Sequence, residues 1–283
     1  MSGEAKPKSD LPVRAAVGVA LIVVALVAVW FGGAAYWLLV TVAALLIVDE
    51  WGNLHGASQR AKRLAQFALF VPLVTMAPAW IIGETRDFFT LGLLAGAAFF
   101  VVIVTRQPKL ALGVLYAGLP VLALVVVRRQ HGVLAFGGHR LGEGLTYTVW
   151  ALALVWVTDI GAYFAGRTIG GPKLWPAVSP NKTWAGLIGG VVAASLFAVA
   201  MHFHAGLPLR LTLATPVLAV LAQGGDLYES WLKRRAGVKD SGRLLPGHGG
   251  VMDRLDGLVP VAPVAAVLVV LPSLLRYLHA QFG

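Results

Sequence analysis

Long apolar segments alternate with short polar connections along most of the chain. A helix needs about 20 mostly apolar residues to span a bilayer, and about nine segments approach that length. They cover residues 13–31, 34–48, 64–82, 88–104, 110–127, 145–165, 184–203, 208–223 and 257–279. The pattern predicts an all-α, polytopic integral membrane protein with about nine transmembrane helices. About five of them fall within residues 1–130, and the others form a C-terminal region, 145–283, with long polar loops at 166–183 and 224–256.

The composition excludes several classes of protein. Of the 283 residues, 58% are hydrophobic and 13% are charged, and the mean hydropathy is +0.78. Soluble domains carry about a quarter charged residues, so this chain does not fit a soluble globule. It contains no cysteine, which excludes disulfides, thiol catalysis and zinc sites built on cysteine.

Basic residues outnumber acidic ones, 23 to 13, for a formal charge of +10. Most of them fall in every second connection between the apolar segments. Because cytoplasmic loops of membrane proteins are rich in Lys and Arg, the distribution predicts a cytoplasmic N-terminus and places both long polar loops on the cytoplasmic side. The charge is therefore interpreted as membrane topology and contact with lipid headgroups, and no nucleic-acid partner is expected.

Two polar stretches stand out in the C-terminal region. Asp159 lies inside an apolar segment, where a carboxylate needs a cation, a water-filled cavity or an arginine of the next helix. The second stretch runs from Lys173 to Thr183 and leads into the segment at 184–203. Asn181 or Thr183 could cap that helix, whose N-terminus would attract phosphate; an ordinary interfacial loop explains the same residues equally well.

The third polar stretch, 224–257, is the densest in the chain. In a helix, Asp226, Glu229, Ser230 and Lys233 would share one face. Asp253 and Asp256 lie one helical turn apart. Such carboxylates, approaching from two helices, suit Mg²⁺, which prefers oxygen ligands and leaves positions for substrate phosphates. Interleaved Lys and Arg residues would neutralise the phosphate oxygens.

The same stretch contains a fixed pattern, which consists of Ser230, Lys233-Arg234, Lys239-Asp240, Pro246-Gly247-His248-Gly249-Gly250 and Asp253-Arg254-Leu255-Asp256. This pattern resembles that of the phosphatidate cytidylyltransferase (CDP-diacylglycerol synthase) family. Gly225-Asp226, the Ser179–Thr183 loop, and Asp159 with Tyr163, Gly166 and Arg167 are also similar to family elements. The resemblance covers about 159–257. One departure is Ala185, where the family usually has glutamate; either this chain does without that glutamate, or Glu229 or Glu50 substitutes for it.

The resemblance implies transfer of a cytidylyl group from CTP to phosphatidic acid, giving CDP-diacylglycerol and pyrophosphate at the cytoplasmic face of a bacterial-type plasma membrane. It implies Mg²⁺, with a second cation also open, and a homodimer. The implied metal ligands are Asp226, Asp253 and Asp256. The implied catalytic residues are these three with Lys233 and Lys239. The implied substrate-binding residues are Asp159, Lys173, Ser179, Pro180, Asn181, Lys182, Thr183, Ser230, Arg234, Asp240, His248 and Arg254.

Other functions remain open from the sequence alone. A related enzyme would transfer cytidylyl groups to another lipid phosphate, with ether-linked or polyprenyl tails. The CDP-alcohol phosphotransferases are disfavoured because their Asp-Gly-x-x-Ala-Arg pattern is absent. A transporter with an intramembrane cation site would place charges near the midplane on inverted repeats, whereas these charges lie at one end of the segments.

Overall fold

The computed structural model describes residues 11–83, 87–136, 139–242, 244 and 249–282, and these residues are mostly helical. The helices in the first half are α1 (Leu11–Phe31), α2 (Gly33–Leu54), α3 (Gln59–Val74), α4 (Ala79–Ile82), α5 (Asp87–Thr105) and α6 (Pro108–Arg128). Those in the second half are α7 (Glu143–Thr168), α8 (Trp184–Ala205), α9 (Leu209–Arg235), α10 (Met252–Leu255) and α11 (Leu258–Phe282). Two antiparallel hairpins, β1 (Val133–Phe136) with β2 (His139–Gly142) and β3 (Lys173–Trp175) with β4 (Ser179–Thr183), connect helices.

Five of the described helices are long and apolar enough to cross a membrane. They are α2, α6, α7, α8 and α11. Helices α1 and α5 contain shorter apolar stretches, Gly18–Phe31 and Phe89–Thr105. Each of the nine predicted segments overlaps a helix, although the segment at 64–82 is divided between α3 and α4. A helical membrane protein is therefore supported, while the count of nine spans stays a prediction.

Helix α6 forms the centre of the bundle. It packs against α2, α3, α5, α7 and α11, and 67% of its apolar span is buried, compared with 22% for α8. Its inward side chains include Leu110, Val114 and Ala117. A helix that is apolar on all sides is expected at such a central position.

Among the described helices, α7 and α8 form the most extensive contact. Glycines make this close approach of the two helices possible. A methyl carbon built on Gly190 would lie 2.7 Å from the carbonyl oxygen of Thr158, and one on Gly186 would lie 2.9 Å from that of Ala162. Small residues let helix backbones approach this closely. The Gly186/Gly190 pair therefore serves helix packing, and it fixes the part of α7 that surrounds Asp159.

A second pair of glycines with the same spacing, Gly92 and Gly96 in α5, behaves differently. A methyl group on either glycine would meet no described atom within 4 Å. Both glycines are exposed, on the outward face of α5, and no described helix packs on them. The four-residue spacing alone does not determine whether a partner helix is present.

The two long polar connections contain more regular structure than predicted. Helix α9 does not end near residue 223 but continues to Arg235, so its last part carries the polar face of Asp226, Glu229 and Lys233. Residues 173–183 form the β3–β4 hairpin. Thr183 caps α8 by accepting a hydrogen bond from the Gly186 amide at 3.0 Å. Of the two predicted caps, Asn181 and Thr183, the structure therefore uses Thr183. These elements bring the polar residues of both stretches to the same end of α7 and α9.

Substituting Gly190 by alanine tests the close approach of α7 and α8. We expect the added methyl group to lower the free energy of unfolding by about 1–3 kcal/mol, because it overlaps the Thr158 backbone. Thermal unfolding of the purified protein in detergent measures the change. Gly92→Ala is the matched control and is expected to leave the melting temperature unchanged or slightly higher. Equal melting temperatures for both variants would contradict this account of the interface.

Candidate active site

Lys182 is the centre of a polar network that joins three elements. Its Nζ lies 2.6 Å from Oδ2 of Asp226 and donates to Oε1 of Gln223 at 3.0 Å. The Gln223 amide in turn donates to Oδ1 of Asp159 at 2.9 Å. Ser230 donates to the other Asp226 oxygen at 3.3 Å. The hairpin β3–β4, α7 and α9 thus each contribute to one network, which we call the Lys182 cluster and define as Asp159, Lys182, Gln223, Asp226 and Asp256.

Asp256 is included in the Lys182 cluster because its carboxyl group interacts electrostatically with Asp226, Asp159 and Lys182. Burial, followed by the neighbouring Asp226 carboxylate, raises the pKa of Asp256 to about 7. The Asp159 carboxylate also raises it, whereas the Gly257 amide and Lys182 lower it. Gly225 packs directly against the main-chain carbonyl of Asp256, so the backbone of α9 and the segment before α11 are in contact. Three carboxyl groups therefore share one lysine and carry an excess of negative charge.

A second group lies one turn further along α9. Lys233 Nζ is 2.6 Å from both Oε2 of Glu229 and Oδ1 of Asp253. The Asp253 carboxylate also accepts hydrogen bonds from the amides of Gly250, at 2.7 Å, and Ser241, at 3.0 Å. We call Glu229, Lys233 and Asp253 the Lys233 cluster.

The two carboxyl groups of the Lys233 cluster differ in ionisation. Glu229 is completely buried. Burial, followed by the neighbouring Asp253 side chain, raises its pKa to about 9 in spite of Lys233. Burial also acts to raise the pKa of Asp253, but the neighbouring Glu229 and Lys233 side chains and the Gly250 amide lower it to about 2. At neutral pH the cluster therefore consists of a protonated glutamic acid, an aspartate and a lysine, with a net charge near zero.

The remaining predicted site residues belong to neither cluster as defined. Ser179 and Thr183 lie at the two ends of β4, with Thr183 buried as the cap of α8. Several others are exposed, namely Lys173, Pro180, Asn181, Arg234, Lys239, Asp240 and Arg254. Arg234 donates to the carbonyl of Val238 at 3.4 Å. His248 lies outside the described residues.

The predicted metal ligands are divided between the two clusters. Asp226 and Asp256 are neighbours in the Lys182 cluster, whereas the Asp253 carboxylate faces Lys233 and two backbone amides. Among the described residues, no three acidic or histidine side chains are arranged to hold a metal ion. The chemistry of the first pair nevertheless fits Mg²⁺, which is commonly held by one or two carboxylates with substrate phosphates and water. Their mutual repulsion is what a divalent cation would relieve.

The structure adds residues that the sequence reasoning missed. Gln223 is buried and connects Asp159 to Lys182; its signal was a lone amide at the end of an apolar segment. Glu50 of α2 accepts hydrogen bonds from Ser241 and from the amides of Val251 and Met252. From the sequence, Glu50 could either approach the site or simply mark the polar end of a helix, because no local pattern connects it to residues about 200 positions away.

Comparisons with known proteins identify the family of this chain. The sequence profile described as "Cytidylyltransferase family" matches residues 12–271. A phosphatidate cytidylyltransferase of Brucella suis biovar 1 is 38% identical over 260 residues, which is 90% of this chain and 91% of the relative. The chain belongs to the cytidylyltransferase family. Phosphatidate cytidylyltransferases of Bacillus subtilis and Staphylococcus haemolyticus are 49% and 47% identical over 133 and 131 residues, about half of each chain.

This membership confirms the family named from the motif at Ser230–Asp256. It also extends the resemblance into the N-terminal helices, where the sequence showed only apolar segments. Glu50 and α2 therefore lie within the family's matched region, as do the residues of both polar clusters.

The raised pKa of Asp256 predicts a pH-dependent stability difference. Its ordinary value is 3.8 and its folded value about 7, so the folded chain binds this proton more tightly and loses stability as pH rises through that interval. We expect Asp256→Asn to raise the melting temperature at pH 8 by about 2–4 °C, corresponding to roughly 1 kcal/mol of relieved repulsion. The difference should be smaller at pH 5 than at pH 8, and it should disappear only below the ordinary value of 3.8.

Thermal unfolding in detergent and chelator, at both pH values, measures this effect. Asp240→Asn is the control, since Asp240 is exposed and belongs to neither cluster. A lower melting temperature for Asp256→Asn at pH 8 would contradict the repulsion among the three carboxyl groups.

Proposed function

We propose that the chain is a phosphatidate cytidylyltransferase: it transfers the cytidylyl group of CTP to phosphatidic acid and releases pyrophosphate. The observation that carries the proposal is the Lys182 cluster, in which the Asp226 and Asp256 carboxyl groups and a lysine meet at one end of a membrane-type bundle. Relatives with that activity in their names match most of the chain, which supports the same conclusion.

The reaction requires little covalent chemistry from the protein. An oxygen of the phosphatidate phosphate, already anionic, forms a bond to the α-phosphorus of CTP, and the bond from that phosphorus to the oxygen bridging to the β-phosphate breaks. Pyrophosphate leaves with the bonding electrons. Because nucleophile and leaving group are both phosphate oxygens, positioning and charge neutralisation account for most of the catalysis.

We assign Mg²⁺ to Asp226 and Asp256, with Asp253 kept as a predicted third ligand. Bound Mg²⁺ would neutralise phosphate oxygens of CTP and stabilise the departing pyrophosphate. Asp226 supplies an oxygen already oriented by Ser230 and Lys182. Asp253 is the less suitable ligand in this arrangement, since its two oxygens already accept from Lys233, Ser241 and Gly250.

The lysines then have distinct roles. Lys182, on the β3–β4 hairpin, is half-buried beside Asp226 and is the described cation best located to meet a phosphate that enters the Lys182 cluster. Lys233 is engaged by two carboxyl groups and stabilises the segment that carries Asp253. Exposed Lys239, Arg234 and Arg254 are assigned to the outer phosphates of CTP or to the lipid phosphate.

The membrane arrangement follows from the substrates. The proposal includes nine spanning helices, a cytoplasmic N-terminus, an active site at the cytoplasmic face of the plasma membrane and a homodimer. It is supported by the basic connections of the sequence and by the chemistry, because the acyl chains of phosphatidic acid stay in the bilayer while CTP arrives from solution. Five helices with the length and apolarity of membrane spans are consistent with this arrangement.

Purified protein in detergent, incubated with phosphatidic acid and CTP labelled at the α-phosphate, tests the function. We expect labelled CDP-diacylglycerol and stoichiometric pyrophosphate, and we expect chelation of divalent cations to stop both. Asp226→Asn and Asp256→Asn should each reduce turnover by about 100-fold or more, since each removes charge at the phosphates. Ether-linked and polyprenyl phosphates, assayed alongside, distinguish the related lipid specificities.

Asp49→Asn serves as the control because Asp49 pairs with Lys62 of α3, away from both clusters. Its turnover should remain within about twofold of the wild type. Absence of labelled lipid when the wild-type protein is given phosphatidic acid would refute the proposed activity. Labelled lipid formed only from the ether-linked or polyprenyl phosphate would favour the related specificity instead.

A further inference from the structure

Glu50 is a buried carboxylate that holds a distant part of the chain. Its exposed fraction is 5%. Oε1 accepts from the amide of Val251 at 2.8 Å, and Oε2 accepts from the amide of Met252 at 2.8 Å and from Oγ of Ser241 at 2.9 Å. Since hydrogen bonds to a charged, buried acceptor are among the stronger ones in proteins, α2 is firmly attached to the segment that leads into α10.

The surrounding backbone is shaped to admit this side chain. Gly242 and Gly250 pack against the Glu50 carboxyl group, and a methyl carbon on Gly242 would lie 2.7 Å from Oε1. A side chain on Gly250 would overlap both Glu50 and the Ser241 hydroxyl. The absence of a Cβ at these two positions is therefore required for the contact.

The segment held by Glu50 is the one that supports the acidic motif. Ser241 donates its hydroxyl to Glu50 and its amide to Asp253, and Gly250 donates its amide to Asp253 while packing on Glu50. Glu50 and Asp253 thus both bind Ser241 and the segment at 250–252. Asp256 follows one turn later, at the end of α10.

We propose that Glu50 is a positioning residue of the transfer reaction: by fixing the backbone at residues 241 and 250–252, it sets where Asp253 and Asp256 stand relative to Asp226. The inference rests on the proposed function for its kinetic consequence, but not for its structural one. Glu50 does not replace the family glutamate missing at Ala185 as a substrate contact, because both of its oxygens already have partners and it is buried.

Glu50→Gln tests the proposal with little change in volume. The amide keeps one acceptor oxygen but turns an NH₂ group toward backbone N–H donors, so at least one hydrogen bond is replaced by a repulsive contact. We expect hydrogen exchange of a peptide covering 249–256 to become at least about tenfold faster, since its amides lose their acceptor. The Mg²⁺ concentration for half-maximal turnover should rise about 10-fold or more, as the carboxylates lose their alignment.

That half-saturating concentration separates positioning from a merely structural role. A variant that only folds less well contains less active enzyme, which lowers the rate but not the concentration at half-saturation. Ser241→Ala removes one of the three hydrogen bonds to Glu50 and should shift the same constant in the same direction by about 2- to 5-fold. Asp49→Asn, altered at the adjacent residue of α2, should leave both the exchange and the constant unchanged.

The outcomes are distinguishable. Turnover by the wild type with an unchanged half-saturating Mg²⁺ concentration in Glu50→Gln and Ser241→Ala overturns the positioning role and leaves the proposed activity intact. If hydrogen exchange becomes as fast in Asp49→Asn as in Glu50→Gln, the positioning role of Glu50 is also overturned, because the effect would then be a general loosening of α2. Absence of turnover in the wild type refutes the activity, while the exchange measurement still decides whether Glu50 holds the segment.

Discussion

Carboxyl groups removed from water must be compensated, and this requirement organises the polar end of the bundle. Uncompensated carboxylates in a desolvated site either take up a proton or need a cation. The chain uses both solutions. Glu229 is protonated beside Asp253 and Lys233, whereas the Lys182 cluster is left with more negative charge than its lysine neutralises. The charges of the Lys233 cluster balance, whereas the Lys182 cluster retains uncompensated negative charge. The Lys182 cluster is therefore the better candidate for binding a cation and phosphates.

Close helix packing determines where these charges can stand. Gly186 and Gly190 bring α8 within backbone contact of α7, and the Thr183 cap begins α8 directly after the hairpin that carries Lys182. Gly225 similarly brings α9 against Asp256. Backbone contacts at glycine positions therefore hold three separate parts of the sequence at hydrogen-bonding range, and side chains with few rotatable bonds, such as Asp159 and Asp226, complete the network.

Local patterns predicted the parts of the fold that depend on local physics. Apolar segments located the helices, and the sequence before residue 184 limited the cap of α8 to Asn181 or Thr183, of which the structure uses Thr183. The pattern at Ser230–Asp256 identified the family and contains three of the cluster residues, Lys233, Asp253 and Asp256. The extension of α9 to Arg235 was considered only conditionally, because the charged residues after 223 end the apolar signal without ending the helix.

Local sequence patterns could not predict the long-range contacts. The division of Asp253 from Asp226 and Asp256 depends on which way a carboxylate turns, and that is decided by Lys233 and two backbone amides rather than by spacing. The same spacing of glycines is buried at 186 and 190 and open at 92 and 96, because only a neighbouring helix distinguishes them. Glu50 is separated from its partners by about 200 residues, so only the fold connects them.

The attachment of Glu50 to residues 241–252 has a consequence for how the chain can be divided. An N-terminal helix group and a C-terminal polar region suggest two modules, yet each would be left incomplete by a cut between α6 and α7. The first fragment would retain a desolvated carboxylate without its donors, and the second would retain glycine-lined backbone without the side chain that fills it. The two halves are therefore expected to fold and to diverge in evolution as one cooperative unit.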